Sequence, residues 1–286
     1  MQNMTIKTLG LTVCAFLWLM FASATDQHVT TIFTIGDSTM ANKDTTGGKQ
    51  ERGWGMMLQQ YFKSGVVVDN HAVNGRSSKS FIDEGRWDVV LSKMKPGDYV
   101  IIQFGHNDEK PAADRHTDPG TTFDANLRRF VLESRARGGI PILCNAVVRR
   151  NFYRQVDSSV DDESLRNTTY EDEKVNSDTL IDTHGAYLLS PRNVARELDV
   201  PFIDANRVTH DLEQGMGIEG SRRLHMWFRP GEHPSVPKGR KDNTHYNVYG
   251  ATVVAGLLAE EIAHQVPALK KKMDIKKIKK LKKRLK

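Results

Sequence analysis

The 286-residue sequence predicts an α/β fold, a three-layer α/β/α sandwich around a parallel sheet. Three observations carry that reading. Short β-rich runs recur that are apolar nearly throughout, helix-period segments alternate with them, and the first runs break off into Gly, Asn and Ser. A strand covered on both faces reads as a continuous apolar run, and parallel neighbours need a long crossover, usually a helix.

The first run, TIFTI (31–35), stops at Gly36-Asp37-Ser38. VVVDN (66–70), YVIIQF (99–104), IPILCNAVV (140–148) and VPFID (200–204) read as the remaining strands. Among the helical segments, TTFDANLRRFVLESRARGG (121–139) puts Phe123, Leu127, Phe130 and Val131 on one face and ends in the stop signal Gly138-Gly139. PRNVARELD (191–199) and NVYGATVVAGLLAEEIAHQV (247–266) are further helices. Two segments break the alternation and read as long loops: the polar, acidic stretch 153–178, and 221–241, rich in Pro, Gly, Arg and aromatics. In the second, Trp227 and Phe228 either stack on a ligand or pack the loop. No internal repeat is present.

At the amino end, Lys7, the apolar run Leu9–Phe21 and Ala22-Ser23-Ala24 have the pattern of a secretory leader, with cleavage expected after Ala24 and an exported mature chain. Of the two cysteines, Cys14 falls in that leader and Cys144 in a buried-strand pattern, which suits an inert core thiol. The formal charge of +6 conceals a division. The segment 270–286 carries eleven Lys/Arg against Asp274, a local +10, so removing it and Lys7 leaves −5 on 25–269. The expected organisation is a leader (1–24), one catalytic domain (25–269) and a basic tail (270–286). Met273, Ile275, Ile278, Leu281 and Leu285 share a helical face in that tail. It either folds against an anionic surface or stays a solvated appendage. Nothing on the body marks a nucleic-acid partner.

Ser38 has two readings, a helix cap or a nucleophile exposed at the carboxyl edge of the sheet. A nucleophile needs a base, an orienting acid and donors for an oxyanion. Asp242 and His245, three residues apart before the last helix, supply an acid and a base that one turn can hold. Gly75 follows the second strand and Asn107 the third, one offering a backbone N–H and the other a side-chain amide. Ser, Gly and Asn thus stand at the ends of the first three strands in chain order.

GDSTMANK, NHAVNGRSSKSF, FGHNDEK and DNTHYNVYGA resemble the four blocks of the SGNH (GDSL-like) hydrolase superfamily, and specifically its rhamnogalacturonan acetylesterase branch. The likeness runs from Thr31 to about Val266. It implies a flavodoxin-like sheet order, Ser38 as nucleophile, His245 as base, Asp242 as its orienting acid, and an oxyanion hole from Ser38, Gly75 and Asn107. The activity implied is removal of O-acetyl groups from pectic polysaccharide, without a cofactor or metal. An esterase for acetylxylan, sialate or lipid, or a binding protein without turnover, are the alternatives. The absence of G-x-S-x-G argues against an ordinary α/β-hydrolase. The segment 153–178 reads as an insertion and the lysine tail as outside the family pattern. Lys43, Arg76, Lys79 and Lys110, with six Lys/Arg against one acid in 221–241, suggest a basic rim suited to uronate-bearing substrate.

Overall fold

The computed structural model describes residues 29–154 and 175–285. The expected leader (1–24) and most of the 153–178 segment lie outside the described residues. Five strands, β1 (Thr30–Gly36), β2 (Val66–Asn70), β3 (Tyr99–Gln103), β4 (Ile140–Cys144) and β5 (Phe202–Ile203), form one parallel sheet in the order β2-β1-β3-β4-β5. That is the flavodoxin-like order, whose switch point lies between the neighbours β1 and β3.

The helices are α1 (Trp54–Leu58), α2 (Ser78–Asp83), α3 (Arg86–Lys93), α4 (Thr122–Ala136), α5 (Leu189–Glu197), α6 (Ala205–Arg222), α7 (Val248–Gln265), α8 (Pro267–Lys270) and α9 (Ile275–Leu285). Alternate strand residues feed two separate cores, as the two-residue period of a strand requires. Ile32, Ile101, Ile142 and Ile203 pack with Trp54 and Leu58 of α1 and Val254, Leu258 and Ile262 of α7. Phe33, Ile35, Val100, Ile102 and Leu143 face Phe81 of α2, Trp87 of α3, Phe130 of α4 and Val194 of α5. The three-layer sandwich is therefore built with helices on both faces. No helix among the described residues is long and apolar enough to cross a membrane.

The structure amends several predicted boundaries. The run 140–148 pairs only to Cys144; Val148 N then donates to Thr209 Oγ1 (2.9 Å), and the chain continues as a buried loop. In 200–204 only Phe202 and Ile203 pair with β4, an edge where the preceding Pro201 has no N–H to donate. The broken helix α6, kinked where Gly217 takes φ 68°, extends to Arg222 and shortens the loop expected from 221. Residues 270–285 pack on the body of the chain. Met273 and Ile278 are buried in the same core as α7, with Leu281 packed against it, so the apolar face of the tail is covered by the body.

Candidate active site

Three strand ends at one edge of the sheet converge. At the end of β1, a Cβ on Gly36 would fall 2.5 Å from the Gln103 carbonyl oxygen, so only glycine lets β1 and β3 approach there. The chain then turns tightly, with Asp37 O accepting from Met40 N (3.2 Å) and Ala41 N (3.0 Å). Ser38 lies in this turn, and no helix begins at it, which removes the cap reading. Under the turn runs a buried polar strut. Trp54 Nε1 donates to Gln103 Oε1 (2.8 Å), Gln103 Nε2 to Thr39 Oγ1 (2.8 Å), and Thr39 Oγ1 to Asp37 Oδ1 (2.7 Å).

The loop after β2 is tied to the Ser38 turn by Val73 N donating to Gly36 O (3.0 Å). Gly75 there has φ 74°, and a Cβ would meet nothing within 4 Å. The backbone sign, and not crowding, demands glycine. After β3, Asn107 Nδ2 donates to Arg76 O (3.2 Å), placing its amide beside the Gly75 loop. Among the described residues no hydrogen bond occupies the N–H of Ser38 or of Gly75.

The fourth block arrives from the loop before α7. Asp242 Oδ1 accepts from Thr244 N (3.0 Å) and His245 N (2.8 Å), an Asx-type turn that folds the imidazole back over the carboxylate. His245 Nδ1 lies 3.1 and 3.0 Å from the two Asp242 oxygens, and His245 Nε2 lies 2.8 Å from Ser38 Oγ. A carboxylate only accepts, so Nδ1 carries the proton and Nε2 is left to accept from the Ser38 hydroxyl. Burial works against ionisation of Asp242, but His245 and Arg240 beside it hold its carboxyl well below the usual range. Such an arrangement can accept a proton from Ser38 as Oγ becomes nucleophilic.

Two supports were not apparent in the sequence. Arg150 is fully buried, donating to Asn243 Oδ1 (3.1 Å), Ser221 Oγ (2.9 Å) and Ile218 O (2.7 Å), and so anchors the Asp242–His245 loop from beneath. Asp108, buried directly after Asn107, accepts from Ser78 N (3.0 Å), Ser78 Oγ (2.5 Å), Gly105 N (3.1 Å) and Thr117 Oγ1 (2.9 Å). Burial pushes its carboxyl up to about 7 against the pull of these donors. Replacing Asp108 by Ala orphans four buried donors and is expected to destabilise the fold by roughly 3 kcal/mol or more. Asp108→Asn, which keeps one acceptor, should fall between it and the wild type. Urea melts of the three proteins measure this, and an unchanged midpoint for Asp108→Ala would refute it.

Other expectations are redirected. Trp227 is only 9% exposed and donates from Nε1 to Asn243 Oδ1 (2.8 Å), with the Arg150 and Arg222 guanidinium groups over its ring, so it packs the loop. The basic rim is largely neutralised locally: Lys43 pairs with Glu51 (2.7 Å), Arg76 with Glu84 (3.1 Å) and Lys79 with Asp83 (2.5 Å). Arg222, Arg223 and Arg229 line, together with Glu219 and Glu232, a cavity of about 340 Å3 beside Phe228 and Asn247, and Arg222 pairs with Glu219 (2.9 Å). Cys144 is buried, and burial pushes its thiol far above the ordinary range. Among the described residues no group of three or more His, Cys, Asp or Glu is arranged to hold a metal ion.

A hydroxyl, an imidazole and a carboxylate in line at the switch point of a parallel sheet form the arrangement that serine-type hydrolases use. Residues 34–253 match the model of the GDSL-like Lipase/Acylhydrolase family, so the chain belongs to that family of carboxylic ester hydrolases. It is 39% identical over 231 residues to "Rhamnogalacturonan acetylesterase RhgT" of Bacillus subtilis (strain 168), covering 81% of this chain and 88% of that one. It is 27% identical over 236 residues to "Probable rhamnogalacturonan acetylesterase YesY" of the same organism, covering 81% and 91%. A crystal structure of the protein YxiM from Bacillus subtilis superposes with a TM-score of 0.61 at 25% identity, covering 82% of this chain and 56% of that one.

Proposed function

We propose that the chain is an exported acetylesterase that removes O-acetyl groups from rhamnogalacturonan or a related pectic polysaccharide. The observation that carries the chemistry is the line Ser38 Oγ, His245 Nε2, His245 Nδ1, Asp242, with contacts of 2.8 Å and 3.0 Å. The likeness to a rhamnogalacturonan acetylesterase at 39% identity supports the substrate class. The leader-like run Leu9–Phe21 with Ala22-Ser23-Ala24 supports export.

Ser38 Oγ attacks the acetyl carbonyl carbon while its proton passes to His245 Nε2. The C–Oγ bond forms and the carbonyl oxygen becomes an oxyanion. The N–H groups of Ser38 and Gly75 and the Asn107 amide stabilise it, each donor on the order of 3 kcal/mol. Collapse breaks the bond to the sugar oxygen, which takes the proton from His245 and leaves as a hydroxyl. Water then attacks the acetyl-Ser38 carbonyl, delivering a proton to His245, and collapse releases acetate and returns that proton to Ser38 Oγ.

The test is acetate release from acetylated rhamnogalacturonan, acetylated xylan and a pair of 4-nitrophenyl esters. Rhamnogalacturonan should be deacetylated fastest of the polymers. The acetyl ester should exceed the octanoyl ester in kcat/KM by roughly tenfold or more. Preference for xylan would reassign the polymer, and equal or better rates on octanoate would move the reading to a lipase.

A further inference from the structure

The triad reading leaves one feature of the site unused, a line of alternating charges that leads away from Asp242. Arg240 Nε and Nη2 both donate to Asp242 Oδ2, at 3.1 and 2.5 Å, and Arg240 Nη1 donates to Glu51 Oε2 at 2.7 Å. Glu51 Oε1 in turn pairs with Lys43 Nζ at 2.7 Å, and Lys43 Nζ donates to Asn74 Oδ1 at 2.6 Å. Asn74 immediately precedes Gly75. These side chains are shielded from solvent, with Lys43 6%, Arg240 18% and Glu51 20% exposed, so water and salt screen them weakly. Main-chain bridges Glu51↔Asn247 and Phe228↔Arg240 hold the carriers in register.

We propose that Arg240 and Glu51 are positioning residues for the ester hydrolysis: Arg240 clamps Asp242 Oδ2, and Glu51 holds Arg240 and, through Lys43, ties the acid end of the triad to the oxyanion loop at Asn74. The proposal rests on the reading of Ser38, His245 and Asp242 as the triad. With Oδ1 fixed by the backbone N–H groups of Thr244 and His245, the guanidinium fork fixes the other oxygen, so the carboxylate plane that orients the imidazole has no free rotation. The two charges have opposite effects on the imidazolium that forms during reaction. Arg240 disfavours it by partly neutralising Asp242; Glu51 favours it and offsets Arg240.

Other groups also bear on His245. Asp242 is on its own loop, Asp37 flanks Ser38 at the end of β1, and His106 lies beside Asn107 after β3, with His184 and Arg149 behind it. Burial, with the charges of Arg149 and Lys110 nearby, keeps His106 well below its ordinary value, so it stays neutral. Burial opposes the ionisation of Glu51, yet His245, Lys43 and Arg240 together bring its carboxyl down to about 2, which keeps it charged through the working range.

The sign of a charge distinguishes positioning by this line from simple packing. In Arg240→Gln the His245 imidazolium is stabilised, so the acid limb of kcat/KM on 4-nitrophenyl acetate should move up by about half a unit or more. In Glu51→Gln it should move down by a similar amount. Arg240→Lys, which keeps the charge and loses the fork, should leave the limb near the wild-type position. For Arg240→Gln we expect kcat to fall about tenfold with KM within about twofold. The His245 ring titration, followed by NMR, should shift in the same opposite directions independently of turnover, so a failure here is separable from a failure of the triad reading, which loss of activity in Ser38→Ala decides. If Arg240→Gln does not fold, Glu51→Gln alone decides the matter. Limbs and ring titrations that stay put, or that move in the same direction in both variants, would overturn the proposal.

Discussion

Ser38→Ala is expected to abolish ester hydrolysis while leaving the fold and its melting temperature unchanged. Ser38 is a small side chain in a turn, and the turn is held by groups that the substitution leaves alone: the Asp37 carbonyl, the Asp37–Thr39 contacts and the Gln103–Trp54 strut. The only described side-chain partner lost is His245 Nε2, at 2.8 Å. Without Oγ no acetyl-enzyme forms, and what remains is water attack assisted by the oxyanion donors and by substrate binding. Loss of a triad nucleophile typically costs between about a thousandfold and a millionfold in kcat, with a residual rate still above that in water. Turnover on 4-nitrophenyl acetate, together with the thermal melt and the circular dichroism spectrum, measures both halves of the expectation. A folded Ser38→Ala protein retaining more than about a tenth of the wild-type rate would remove Ser38 from the nucleophile's role.

What the sequence disclosed, and what it hid, divides along the range of the interactions involved. The inner strands β1 and β3 were legible because a strand buried on both faces must be apolar at successive positions, while β2 (66–70), half-exposed at the edge of the sheet, was legible from its run of valines alone. Gly36, Gly75, Asn107 and the Asp242–His245 pair were legible because each belongs to a local turn whose chemistry is written in neighbouring residues. Glu51 and Arg240 were not, since 189 residues separate them and each alone looks like an ordinary surface charge. Arg150 was hidden for the same reason: its partners lie on the 218–221 turn and at Asn243. The short helices α1, α2 and α3 carry too few turns for periodicity to register. Trp227 was ambiguous because an aromatic in a loop reads identically whether it faces a ligand or, as here, a buried amide and two guanidinium groups.

The lysine-rich terminus had two readings in the sequence, a solvated appendage or a helix laid on its apolar face. The apolar face meets the body of this chain, where the sequence offered an external anionic surface as its partner. Asp274, the one acid in the segment, accepts from Lys277 N through Oδ1 (3.0 Å) and so caps α9. Its N–H donates to Tyr61 O (2.8 Å), and Lys63 N donates to Lys272 O (2.9 Å), pairing the terminus with residues 61–63 around an antiparallel bridge between Phe62 and Met273. Ile278 and Met273 enter the core beside Tyr61, Leu258 and Ile262, and Leu281 occupies the space that a Cβ at Gly256 would need, 2.2 Å away. Lys276, Lys279, Lys280 and Lys283 point to solvent.

Deleting residues 270–286 should therefore lower Tm substantially. Full burial of Met273 and Ile278 stabilises the fold by about 1.5–3 kcal/mol each, and uncovering Tyr61, Gly256 and Leu258 adds to the loss. At about 2–4 °C per kcal/mol for a domain of this size, the expected drop is roughly 10 °C or more. Changing the four outward lysines together to Gln tests charge separately from packing and should move Tm by only about 1–2 °C, as exposed substitutions away from specific contacts do. Calorimetry on the three proteins compares them directly. A truncated chain that melts within about 2 °C of the full-length protein would mean that α9 contributes no net packing energy. A large drop from the lysine substitutions alone would assign the stabilisation to charge and not to the buried face of α9.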